Sequence, residues 1–385
     1  MLISTTQQLS EFCKCITGSE LICIDTEFIR EDSYLPRLET IQIRAGEEIA
    51  IIDFPVIKDL SELWRILYTP GVTKAFHACQ QDLELLYQAS GQVMCDVFDT
   101  QVASAVVGYG EQIGYGQLVK QITGVALSKS QSYTAWGVRP LTQAQIDYAM
   151  DDVRYLPALV EHLRERLETL GRLDWAKGEF STLEQAVLEE PTPLSELYLR
   201  VRNMDNLERR ELAILRELTC WREEEALYRN KLPQRLLRDE LLVSLSRRPP
   251  ESVGELRRMR GFPPFEADRL GSEIIAAVKK ALAVPPEQWP EKPKSRSIDP
   301  ATQAVMALVQ AFIRGRAVDE QVAWGLLCNS ANLEEIVSKR KTIKAGDTHI
   351  LSGWRYELVG KDLLRLLNGD LALSFDPETG RVRVQ

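Results

Sequence analysis

The stretch "LICIDTEF", residues 21–28, decides how this 385-residue chain is read. Leu21, Ile22, Cys23 and Ile24 form an apolar run that predicts a strand buried on both faces. Asp25 and Glu27 close it, one residue apart. Removing a carboxylate from water costs on the order of several kcal/mol unless something compensates it. Strand side chains alternate, so the two acids share one face and Thr26 points away. Two such charges at close range call for a shared proton or for a cation between them.

Two other segments supply more acid. "HACQQDLELL" (77–86) puts Asp82 at the start of a helix, and "YAMDDVRYL" (148–156) puts Asp151 and Asp152 on another. Tyr148 and Asp152 are four apart and share a helical face. Asp151 points about 100° away and reads as a solvated neighbour. Several carboxylates without a histidine cluster favour Mg²⁺ or Mn²⁺ over zinc. Two such ions about 3.5–4 Å apart form a clamp for phosphodiester hydrolysis. Paired carboxylates also serve glycosidases, but that reading leaves the remaining acids unexplained.

Bulk properties narrow the field. Apolar residues make up 44% and charged residues 27%, as in globular proteins. No run of about 18 apolar residues predicts a membrane helix. The first twenty residues lack the basic and long apolar regions of a secretory signal, so a cytoplasmic chain is expected. Seven cysteines without a CxxC pair, and three histidines, predict reduced thiols and no zinc site. The net charge of −9 is unevenly spread. Residues 1–190 carry 15 basic and 28 acidic side chains, and residues 200–280 carry 18 and 14. An acidic front and a basic middle suit a metal-using catalytic domain joined to a module that meets phosphates.

Residues 1–190 alternate strand-like and helix-like segments and predict an α/β domain, a mixed sheet flanked by helices. "TIQIRAG" and "EIAIIDF" read as hairpin-linked strands. Thr142 is the expected N-cap of the helix carrying Asp152, Asp99 the N-cap of another, and Pro157 a kink or break. Residues 195–285 read as a helical domain, followed by a Pro- and charge-rich linker. A second helical block, 300–385, ends in a hairpin or frayed tail.

"DTEF", "HACQQDLELL" with "DTQVA", and "YAMDDVRYL" resemble, in order and rough spacing, the three exonuclease motifs of the DEDD nucleases. Tyr148 is similar to the residue that marks the tyrosine subgroup. "DTEFIREDSYLPRLETIQI" and "SYTAWGVRPLTQAQIDYAMDDVRYL" resemble the ribonuclease D family, and the helical remainder resembles HRDC repeats, more loosely in its second block. The resemblance implies a ribonuclease H-like exonuclease domain followed by two HRDC-type domains. It implies Asp25, Glu27, Asp82 and Asp152 as ligands of two divalent ions (Mg²⁺ or Mn²⁺), with Tyr148 orienting the attacking water. A phenol with a pKa of about 10 is mostly protonated at neutral pH, so Tyr148 is expected to position, and the metal to activate.

The expected activity is 3′→5′ exoribonuclease trimming of RNA, tRNA precursors above all, releasing nucleoside 5′-monophosphates. The expected assembly is a monomer. A DNA exonuclease of the same superfamily and an inactive RNA-binding scaffold are the alternatives. His77 is read as a structural histidine, with ligand or base as the other reading. Trp136 and Arg139 are read as a base-stacking and phosphate-holding pair or as packing and an ion pair. Lys129, Arg257 and Arg258 are candidate phosphate contacts. Trp221 and Tyr228, at helical spacing, are expected in a helical core, with a stacking platform as the other reading.

Overall fold

The computed structural model describes residues 1–30, 33–127, 134–292 and 299–385. Six strands, β1 (Leu2–Ile3), β2 (Leu21–Ile29), β3 (Arg37–Ala45), β4 (Glu48–Asp53), β5 (Thr73–Phe76) and β6 (Val97–Asp99), form one sheet of order β1-β4-β3-β2-β5-β6. β3 and β4 pair antiparallel, while β2–β5, β5–β6 and β1–β4 pair parallel, so the sheet is mixed. Ala45 pairs with Glu48, which leaves Gly46 and Glu47 as a two-residue turn. Gly46 takes φ +58°, which a side chain would disfavour, and so allows the tight reversal.

Helices cover both sheet faces, which explains the continuous apolar run of β2. α1 (Thr6–Ile16), α2 (Ser61–Leu67) and α3 (Gln80–Ser90) pack on the face of Ile22 and Ile24. α4 (Thr100–Val106), α5 (Tyr115–Thr123), α7 (Leu156–Thr169) and α8 (Leu173–Ala186) pack on the face of Cys23. α6 (Gln143–Arg154) precedes α7, and Pro157 sits in the first turn of α7, so the proline marks a break between two helices. Thr142 caps α6 in a reciprocal box with Gln145.

The helical remainder comprises α9 (Arg209–Tyr228), α10 (Pro233–Leu236), α11 (Asp239–Arg247), α12 (Val253–Arg258), α13 (Pro264–Leu282), α14 (Pro300–Asp319), α15 (Trp324–Leu327), α16 (Ser330–Ser338), α17 (Gly353–Arg355) and α18 (Lys361–Asn368). The chain divides into two compact units. One holds Met1–Phe28, Leu38–Leu188 and Ile298–Gln385, and the other Ile29–Arg37 and Glu189–Ser297. The second unit closes over Leu215, Leu218, Leu242, Leu270 and Ile274. Trp221 packs partly buried against that core, but Tyr228 does not: it stands 86% exposed in the last turn of α9. The expected core position fails there because a helix end outruns the surface it packs on.

The block 300–385 therefore groups with the α/β domain. It has a core of its own, around Phe312, Ile336 and Leu363, and ends in the antiparallel hairpin Leu373–Asp376 and Arg381–Val384. The two parts meet through polar groups and rings. Trp175 and Trp354 stack at 4.6 Å, and Arg355 pairs with Glu179 at 2.7 Å with both largely buried. Removing one partner strands the other charge. Arg355→Ala should therefore destabilise the protein by about 3 kcal/mol. Adding Glu179→Ala should recover part of that loss, as read by a denaturant-unfolding double-mutant cycle.

Candidate active site

Asp25 and Glu27 emerge from β2 half-buried, on the face of Cys23. Asp152 reaches them from α6, and one carboxylate oxygen of each of the three lies within 4.8 Å of the others. Asp82 enters differently. It sits buried in the first turn of α3, and the Thr26 hydroxyl donates to its Oδ1. Thr26 points away from Asp25 and Glu27, as alternation requires, and there it fixes the fourth acid. It is the residue that sequence reasoning passed over, although a lone hydroxyl on a buried face needs a partner.

Protein surrounds these acids and they repel one another. Burial first, and then Asp152, Asp82 and Glu27, raise the Asp25 carboxyl well above its ordinary range. Burial, with Asp152 and Asp82, pushes Glu27 up to about 8. Burial also pushes Asp82 and Asp152 to about 7, opposed by the Thr26 hydroxyl at Asp82 and by a Tyr148 hydrogen bond at Asp152. No cationic side chain is among the causes of these four shifts. A crowded, oxygen-only donor set of this kind fits hard divalent cations, which would compensate the charge.

The surrounding elements hold the acids in place. Asp99 accepts from Gln101 and Val102 N–H at the start of α4 and from Cys79 N–H at 2.7 Å, and so ties the α3 start to β6. It also takes the Ala78 N–H, beside a φ of +62° that costs a non-glycine residue on the order of 1 kcal/mol. The Tyr115 hydroxyl donates to the Asp151 carbonyl at 2.8 Å and accepts from Tyr155 N–H, pinning the end of α6 that carries Asp152. No local pattern announces that bond, since Tyr115 lies 36 residues from Asp151.

The other candidates fare differently. His77 uses both ring nitrogens, Nδ1 with Thr100 Oγ1 at 2.9 Å and Nε2 with the Ile113 carbonyl at 3.0 Å. A carbonyl only accepts, so Nε2 carries a proton and the ring is a structural tie. Trp136 is 3% exposed and lies 6.3 Å from the Tyr148 ring, so it backs the tyrosine and offers no open face for a base. Arg139 is committed as well: Nε and Nη2 donate to Asp53, Nη2 reaches Glu39, and Nη1 donates to the Trp136 and Val138 carbonyls. The packing and ion-pair reading holds for both, and the phosphate-holding role lacks free donors. Lys129 lies outside the described residues. Arg257 and Arg258 stand exposed on α12 of the second unit, Arg257 paired with Asp268.

A family model described as 3′-5′ exonuclease matches residues 1–168, and an HRDC-domain model matches residues 211–278. Ribonuclease D of Granulibacter bethesdensis is 35% identical over 97% of this chain and 94% of its own length. That of Sphingobium indicum is 35% identical over 100% and 98%. The crystal structure of Escherichia coli RNase D, described as an exoribonuclease involved in structured RNA processing, superposes with a TM-score of 0.85 at 30% identity, covering 96% of this chain and 98% of that one. The chain belongs to the ribonuclease D family. Its exonuclease domain, a mixed sheet flanked by helices, precedes a helical HRDC region, and its acidic cluster is that of a divalent-metal enzyme.

Raised carboxyl pKa values have a definite sign. The folded state holds protons that the unfolded state has already lost, so metal-free stability should fall as pH rises from about 5 to 8. Solvent reaching three of the four acids moderates the effect to roughly 1 kcal/mol each. In EDTA, Asp152→Asn should raise Tm at pH 8 more than at pH 5.5, and millimolar Mn²⁺ should flatten the pH dependence of the unsubstituted protein. Differential scanning calorimetry checks both.

Proposed function

We propose that this chain trims the 3′ ends of tRNA precursors, removing one nucleoside 5′-monophosphate at a time at a site that holds two divalent ions, Mg²⁺ or Mn²⁺. The chain is a 3′→5′ exoribonuclease, a hydrolase of phosphodiester bonds, by its family. The observation that carries the finer reading is the convergence of Asp25, Glu27 and Asp152 with Asp82 held alongside by Thr26.

Asp25, Glu27, Asp82 and Asp152 would hold the ions. When bound, the ions supply charge compensation at the scissile phosphate and acidify water for attack. The protein's own groups prepare the geometry. β2 is fixed between two cores, so Asp25 and Glu27 keep their spacing without a loop's freedom. Tyr148 hydrogen-bonds Asp152 and is backed by Trp136, so its hydroxyl is held where a water beside the carboxylates would be oriented. Hydrolysis places the water oxygen on phosphorus and returns the 3′-hydroxyl to the shortened RNA.

The domain reading is 1–190 for the exonuclease, 195–285 for an HRDC domain and 300–385 for a divergent HRDC-like block. Basic helices of the middle segment, Arg257 and Arg258 among them, are assigned to the RNA backbone, whose recognition is largely electrostatic. A monomer acting in the cytoplasm is the expected working state. Among the described residues no helix is long and apolar enough to cross a membrane.

The test compares a tRNA precursor bearing a short 3′ extension with single-stranded DNA of similar length, in Mg²⁺, Mn²⁺ or EDTA. Stepwise shortening of the RNA, abolished by EDTA, is expected. Asp25→Asn should lower the rate by at least about 10³-fold and Tyr148→Phe by about 10–10²-fold with little change in KM. Shortening of DNA alone would move the chain to the DNA-exonuclease reading. RNA binding without shortening would make it a scaffold.

A further inference from the structure

A second concave site lies away from the carboxylates, between the end of α4 and the block 300–385, all within the first unit. It is an open cleft of about 760 Å³, inside the roughly 300–1,000 Å³ span of small-molecule sites. Arg166, in the last turn of α7, lines it ten residues beyond Leu156, about 15 Å along that helix from the end nearest Asp152.

Its walls are built rather than incidental. The buried Arg172 guanidinium donates to the Val106 and Gln321 carbonyls from Nη1 and to the Glu320 carbonyl from Nη2. Ala323 N–H donates to the Ala105 carbonyl at 2.9 Å. Gly108, at φ +89°, lets the backbone close on Gln321: a Cβ there would stand 2.8 Å from the Gln321 carbonyl oxygen. These contacts hold the cavity open in a fixed shape.

The lining then points to a ligand class. Among the described residues neither Arg166 nor Arg314 makes an ion pair, and the Arg166 Nε is buried with no hydrogen-bond partner. An unsatisfied buried guanidinium donor costs stability unless something accepts from it. Two of the nearby acids are engaged elsewhere: Glu320 lies 3.6 Å from Arg172, and Asp319 pairs with Arg381. Arg314 lies over the Trp324 ring at 5.1 Å, and Tyr109, its hydroxyl 2.6 Å from His162 Nε2, supplies a second aromatic wall. Glu111 has its carboxylate against Gly325, where it can accept from a sugar hydroxyl and would repel a second phosphate.

We propose that this cavity is a second nucleotide-binding site, separate from the carboxylate cluster, in which Arg166 and Arg314 take one phosphate, Trp324 backs the Arg314 guanidinium, and Tyr109 faces the base. Two forked guanidinium groups without an ion pair suit a phosphate, and an aromatic wall suits a planar base. The choice of a nucleotide over another aromatic anion rests on the exoribonuclease reading. The ligand can be a released nucleoside 5′-monophosphate or one nucleotide of an RNA strand.

The test uses the full chain carrying Asp25→Asn, in EDTA, so that neither hydrolysis nor metal-assisted product binding contributes. AMP, adenosine, inorganic phosphate and a single-stranded RNA hexamer are titrated by calorimetry and equilibrium dialysis. AMP should bind one per chain, at least 10-fold tighter than adenosine. Arg166→Gln, Arg314→Gln and Val318→Glu at the exposed rim should each weaken it at least 10-fold, with Tm unchanged for the two rim variants. Loss of hexamer binding in the same variants, with AMP not bound, would assign the site to the RNA strand and keep the proposal. Unchanged binding of AMP and hexamer in all three variants, or adenosine binding as tightly as AMP, would overturn it. RNA trimming by the chain with Asp25 intact is measured separately, so failure here is distinct from failure of the exoribonuclease reading.

Discussion

Mutual repulsion among four carboxylates is the constraint on which the rest of the catalytic domain depends. Asp25, Glu27, Asp82 and Asp152 come from three elements; burial disfavours their ionised forms, and Asp82 and Asp152 further raise the energy of ionising Asp25 and Glu27. Left to relax, such side chains would swing apart into water. They stay together because the backbone that carries them is over-determined. β2 lies inside the sheet with apolar clusters on both faces, the α3 start is tied by Asp99, and the α6 end by Tyr115. Stability is sacrificed at one point to keep an oxygen-only cluster assembled, a donor set that suits a hard divalent cation.

Thr26 shows how economically this is done. A strand can present acids on one face only at every second position, so the residue between them must face the opposite side. Placing a hydroxyl there lets β2 reach Asp82 on α3, a helix packed on the other sheet face. The five residues from Asp25 to Ile29 thus serve both faces before the strand ends. An apolar residue at position 26 would leave Asp82 with one fewer donor in buried surroundings and favour its protonated form.

What was legible in the sequence was what is local. The apolar run of β2, the Thr142 and Asp99 caps, the break at Pro157 and the acids' order follow from short-range chemistry and periodicity, and each stands in the structure. β1 has two residues, too few for any alternation to register. Arg139 finds Asp53 and Glu39 at separations of 86 and 100 residues, and Arg355 finds Glu179 at 176. Nothing in the neighbourhood of an arginine tells whether it will meet a carboxylate or remain available to a phosphate, and this is why Arg139 could not be assigned in advance. Tyr228 went wrong for a related reason: helical spacing gives the face of a residue but not where the packed surface stops.

The same point alters how the basic middle segment should be weighed. Its 18 basic against 14 acidic residues suggest a strongly positive surface. In the fold Arg222 pairs with Asp239, Arg229 with Glu225, Arg257 with Asp268, Arg269 with Glu266 and Lys280 with Glu217. A guanidinium already neutralised by a neighbouring carboxylate releases few counterions from an RNA backbone when it approaches. The salt dependence of binding therefore follows the unpaired residues rather than the total. Arg247, Arg248, Arg258 and Arg260 make no ion pair among the described residues, and they lie around the turns that follow α11 and α12. In the proposed RNA contact the unpaired side chains, these four among them, would set that dependence, while Arg209, Arg222, Arg257 and Lys280 tie separate elements of the segment together.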